Sequence, residues 1–149
     1  MNDKLRRIDP LIRRAEERRN SVAKEYANKI RSLSAHEQRL SDLMRFSDEY
    51  AQWPIGDSLS PAQLGNRTAF RGRLGQAVEA QRKQVDQSRS SAEVERARLT
   101  LASRESKIVN KLADNYRVEQ RQIDDKRAQQ VIDDYAGTAH RRRTLEDAE

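Results

Sequence analysis

The sequence holds no cysteine, and only five glycines and three prolines in 149 residues. Without cysteine there is neither a disulfide framework nor a thiolate metal site, as a reducing compartment would allow. No stretch of eighteen apolar residues occurs, so no segment is expected to insert into a membrane. The first twenty residues carry six arginines and no apolar block, which excludes a secretory signal as the expected start. Asn66-Arg-Thr68 spells a glycosylation sequon, which has no use without such a signal. Catalytic motifs are missing as well. No GxxxxGK[ST] or GxGxxG occurs, the two histidines His36 and His140 are far apart, and the carboxylates are spread along the chain. The expectation is a chain that is no enzyme and needs no cofactor or metal.

Apolar residues make up only 35% of the sequence and charged residues 36%, too little oil for a globular core. Few breakers combined with sustained periodicity select long helices over disorder. The net charge of +6 comes from 30 basic and 24 acidic residues, mostly interleaved as on solvated helix faces. Arginine pairs at 6/7, 13/14 and 18/19 crowd the start, and Arg141 to Arg143 the end.

With Leu5 at position a of a heptad, Ile12, Arg19, Tyr26, Leu33 and Leu40 follow at a. Ile8, Ala15, Val22, Lys29, His36 and Leu43 then fall at d. Nine of these twelve positions are apolar, a seam that argues for a coiled coil. Two starts fit this first helix: a cap at Asp9-Pro10, or a start near Asp3 with Pro10 in the first turn. His36, on the seam, is read as making a seam hydrogen bond or lying at its edge.

The break is Trp53-Pro-Ile-Gly-Asp-Ser-Leu-Ser60, where Pro54 and Gly56 stop one helix near residue 53. Ser60-Pro61-Ala62-Gln63 opens the next with a capping box. Leu74, Val78, Val85, Ala92, Leu99, Ala102, Val109, Ala113, Tyr116 and Ile123 carry the second seam, interrupted by Gln81, Ser88, Glu95, Ser106 and Gln120. Gly72 and Gly75 weaken its first turns, and Gly137 is read as its end, with 137–149 as a charged tail. The fold class is therefore all-α: one elongated, antiparallel two-helix coiled-coil hairpin, with helix 1 over about 3–53, a tip at 54–60 and a longer helix 2 over about 61–136. At about 1.5 Å per residue the arms span roughly 65 and 110 Å, so the second helix runs out of partner beyond about Leu112. Phe46, Tyr50, Trp53 and Phe70 bracket the tip, either closing the hairpin or presenting a face for a peptide.

The run Leu40-Ser-Asp-Leu-Met-Arg-Phe-Ser-Asp-Glu-Tyr50, the polar break, and Asn66-Arg-Thr-Ala-Phe-Arg-Gly-Arg-Leu-Gly-Gln-Ala-Val-Glu-Ala-Gln81 together resemble the flagellar export protein family FliJ. Gln129, Asp133, Asp134 and Ala136 are similar to that family's finish. The resemblance implies a small cytosolic component of the flagellar type III export apparatus, peripheral at the inner membrane and similar to the central stalk of rotary ATPases. It implies one helical end in the ring of the export ATPase FliI, the tip on the linker of the export gate protein FlhA, and an escort role toward export chaperones. The gate-binding face it carries over falls on Leu43, Tyr50, Phe70, Leu74 and Ala77, with Phe46 standing where the family has tyrosine and Gln81 beside them; Arg39 departs from the pattern too. Flagellum assembly and motility are the setting. The alternatives are an injectisome stalk, a structural homodimer paired through its free arms, or a basic coiled coil for nucleic acid, a partner that the interleaved acids argue against.

Overall fold

The computed structural model describes residues 3–54, 56 and 58–148. The chain is all-α, a helical hairpin of α1, Asp3–Gln52, and α2, Pro61–Glu146, packed against each other; no strand occurs among the described residues. Of the two possible starts, the helix takes Asp3, and Pro10 lies inside it. Its missing N–H leaves only an exposed turn unbonded, and Pro10 itself faces solvent. Between the helices, residues 53, 54, 56 and 58–60 are non-helical, while Ile55 and Asp57 of the expected tip lie outside the described residues.

The capping box forms as the sequence requires. Gln63 N–H donates to Ser60 Oγ at 3.2 Å, and Ser60 N–H donates back to Gln63 Oε1 at 3.0 Å. Two of the orphan donors at the start of α2 are thereby satisfied.

Contacts divide the chain into two units, one of Arg18–Ala102 and one of Met1–Glu17 with Ser103–Glu149. In the first, antiparallel pairing is fixed by Tyr50 against Phe70, His36 against Gln81, Glu37 with Arg89 at 3.6 Å and Glu25 with Arg98 at 3.1 Å. Arg98 also bonds Glu95, and that bond, the Glu95 charge and then the Glu25 charge raise its pKa above the ordinary arginine value. Where Lys29 and Ser88 interrupt the two seams, a polar groove of about 270 Å³ opens, lined also by Ser32, His36 and Ser91. In the second unit, Lys4 donates to both carboxylate oxygens of Glu119 at 3.2 and 3.3 Å and sits 5.4 Å over the Tyr116 ring.

The seam is where the heptads put it. Ile8, Ala15 and Val22 are buried on α1; Leu74, Val78, Val85, Ala92, Ala102 and Ala113 are buried on α2. Arg19 and Lys29 stay exposed, so the predicted seam is interrupted there, and Ile123, read as part of the second seam, is exposed too. The α2 side is narrow. Ala113 is 0% and Ser106 1% exposed, and Ser106 is the largest fully buried side chain among the described residues. Small residues let the two backbones approach but remove little apolar area from water, at about 25 cal/mol per Å², so the pairing holds with a small margin.

Two sequence expectations are corrected. Gly137 does not end α2, which continues to Glu146 with only Asp147 and Ala148 in a turn. No glycine adopts positive φ among the described residues, so Gly137 supplies no left-handed cap and costs only its helix propensity. Thr138 Oγ1 donates to Asp134 O at 2.8 Å and Arg141 Nε to Gly137 O at 3.4 Å across the predicted stop. The pairing also reaches further than Leu112, to Tyr116 and Glu119, because the turn is centred nearer Ser60 than Ser58. From Arg121 to Ala148 every residue except the half-buried Gly137 is exposed.

Candidate functional site

α1 ends without a basic residue in its last turn and runs into Trp53-Pro54, a sequence that offers no glycine cap. Its last carbonyls therefore need a donor from elsewhere. Arg67, on the second turn of α2, supplies it. The guanidinium donates to Trp53 O at 2.6 Å and to Tyr50 O at 3.4 Å, with its carbon 5.6 Å above the Tyr50 ring. A planar, delocalised cation satisfies carbonyls and stacks on an aromatic face at once, which lysine cannot do.

Around that anchor the aromatics assemble. Tyr50 meets Phe70 edge-on at 4.7 Å and Trp53 at 4.8 Å; Phe46 meets Trp53 edge-on at 6.3 Å and Tyr50 at 6.5 Å. Of the two roles weighed for them, the ring contacts supply the first, closing the hairpin, and leave part of the cluster exposed to solvent. Tyr50 and Phe70 close the hairpin, while Phe46 stays 40%, Phe70 37% and Trp53 52% exposed. Beside them lies an open groove of about 580 Å³ walled by Tyr50, Pro54, Leu59, Arg67, Phe70 and Arg73. Aromatic walls with two arginines at the rim are the composition of an interface hot spot.

The seven residues singled out in the sequence separate into two sets. Phe46, Tyr50 and Phe70 come together in the cluster, and Leu43 and Ala77 are half-buried on the flanks of the two helices. Leu74 and Gln81 lie inside the pairing, 8% and 9% exposed. Gln81 is already engaged: its amide nitrogen donates to His36 O at 3.0 Å and lies 3.3 Å from His36 Nδ1. His36 thus makes the seam hydrogen bond read for it. Sequence reasoning passed over Arg67, although an α1 end with no basic last turn and no glycine was the signal for a donor in trans.

Among the described residues no group of three or more histidine, aspartate or glutamate side chains converges as a metal site requires, and no helix is long and apolar enough to cross a membrane.

The chain matches the family described as "Flagellar FliJ protein" over residues 4–145. It belongs to the flagellar FliJ family. Membership makes the hairpin a component of flagellar protein export, and the match takes in the capping box, the aromatic cluster and the exposed arm alike. No curated protein and no solved structure matches this FliJ chain.

Proposed function

We propose that this FliJ-family hairpin is a stalk of the type III export apparatus, working at the cytoplasmic face of the inner membrane. One helical end occupies the ring of the export ATPase FliI. The tip binds the linker of the export gate protein FlhA, so that ATP hydrolysis is coupled to export, and export chaperones are further partners. The role is mechanical and needs no cofactor.

The observation that carries this reading is the stretch of α2 from Arg121 to Glu146, helical yet exposed along its length, with Val131 at 68% and Tyr135 at 80%. Most helical stability in proteins comes from packing, so an unpacked stretch of this kind gains from a surface that encloses it. A ring interior is such a surface. At the other end, Phe46, Trp53 and Phe70 present the aromatic face on which a linker peptide would bury its apolar residues, flanked by Leu43 and Ala77. Leu74 and Gln81, buried in the helix pairing, offer a linker little surface.

The gate half of the proposal is tested by capture on an immobilised FlhA linker. Phe46→Ala and Phe70→Ala are expected to lose capture while keeping their far-ultraviolet circular dichroism. Normal capture by both variants would remove the tip from the interface.

A further inference from the structure

The arm beyond Gln120 does not continue the intramolecular seam as an apolar stripe. Followed in its own register, that seam passes one last apolar residue, Ile123, and then Arg127, Gln130, Asp134 and Gly137, which are polar or lack a side chain. The apolar residues of the arm lie on another face. Ala128, Ile132, Tyr135 and Ala139 succeed one another at steps of four, three and four, all exposed, with Ile132 at 60% and Tyr135 at 80%. The alternating steps of a coiled-coil seam continue outward from both ends of this row, to Asp125 and Arg121 on one side and to Arg142 and Glu146 on the other.

Read from either end, the row has the same order of sizes with the charges exchanged. Set against a second copy running the opposite way, Ile132 faces Tyr135 and Ala128 faces Ala139. In the same register Asp125 faces Arg142 and Arg121 faces Glu146. All four layers fall in register together, each pairing an a position with a d position, as antiparallel coiled coils do. Because each pair occurs twice about the two-fold axis, the contact is isologous and closes at two chains. Val131 and Leu145, exposed at 68% and 71%, flank the row and would be covered with it.

We infer that the arm of α2 is a homodimerisation element, pairing antiparallel with the arm of a second copy through the row centred on Ile132 and Tyr135. This goes beyond the stalk reading and stands without it: it rests on the self-complementary charge order of one helix face. The two are linked in one respect, since a paired arm is unavailable to any ring that encloses it. The alanine layers are small and the outer layers exposed, so the dimer is a weak and reversible one.

Sedimentation equilibrium of the full chain over a concentration series tests it. Wild type is expected to pass from monomer to dimer. Asp125→Arg and Arg142→Asp each set like charges opposite one another twice per dimer, and each is expected to weaken association by at least about tenfold. The double variant Asp125→Arg/Arg142→Asp is expected to regain wild-type association, and an equimolar mixture of the two single variants to form a heterodimer. These positions are exposed, so circular dichroism should report unchanged helix in all of them. A chain that stays monomeric at every concentration, or single charge reversals that associate as well as wild type, would overturn the proposal.

Discussion

The side-chain amide of Gln81 donates to the backbone carbonyl of His36 at 3.0 Å and lies 3.3 Å from that residue's Nδ1, joining the two helices through polar groups at a seam position. An amide that finds its partner in only one alignment specifies register more than it adds stability. Gln81→Ala is expected to lower stability by about 1–2 kcal/mol, because one polar partner is lost and a small gap is left. Gln81→Leu loses the same hydrogen bond but leaves no gap, so it is expected to cost less than Gln81→Ala, about 1 kcal/mol. Urea unfolding followed by circular dichroism checks both.

Arg67 ties α2 to the last carbonyls of α1, and Trp53, the only tryptophan, sits in the same cluster. Arg67→Ala is expected to shift Trp53 emission to longer wavelength and to lower stability by about 1–2 kcal/mol. Arg67→Lys should recover only part of this, because an ammonium cannot both stack on Tyr50 and serve two carbonyls. Fluorescence spectra with thermal melts measure the two effects separately.

Ala113 is fully buried opposite α1, whereas Gly72 and Gly75 face open space in ordinary helical conformation. Ala113→Leu should therefore force the helices apart and destabilise by about 1–3 kcal/mol. Gly72→Ala and Gly75→Ala should each stabilise by about 0.5–1 kcal/mol, since a new Cβ meets nothing and the unfolded chain loses freedom. Opposite shifts in melting temperature are the expected result.

Ser60 and Gln63 satisfy one another's backbone amides at the start of α2. Ser60→Ala is expected to cost about 1 kcal/mol and Ser60→Gly less, a difference readable in the same melts.

The capping box, the all-α hairpin and most of the seam were legible because each is written in local spacing: Ser60-Pro61-x-Gln63 is a start signal wherever it occurs, and heptads name their own buried positions. His36 was legible for the same reason, as a polar group on an apolar stripe. The end of α2 was not, because a glycine signals a stop only when it adopts the left-handed conformation, and Gly137 is followed by Ala139, three arginines and Leu145, all able to carry a helix onward. The tip was legible in part. Tyr50 and Phe70 could be placed together from their spacing, and the same spacing put Leu74 and Gln81 on the seam, where burial in the pairing keeps them from an outer face. Arg67 depends on where the other helix ends, a relation across the turn.

The exposed arm carries the account of this FliJ-family chain as a stalk, and adding the chain to purified FliI and measuring ATP turnover tests it most directly. Turnover is expected to rise with the full chain and to fall back to the unstimulated rate with a chain shortened after Gln120, which keeps all of α1 paired. Unchanged turnover with the full chain, or full stimulation by the shortened one, would contradict it.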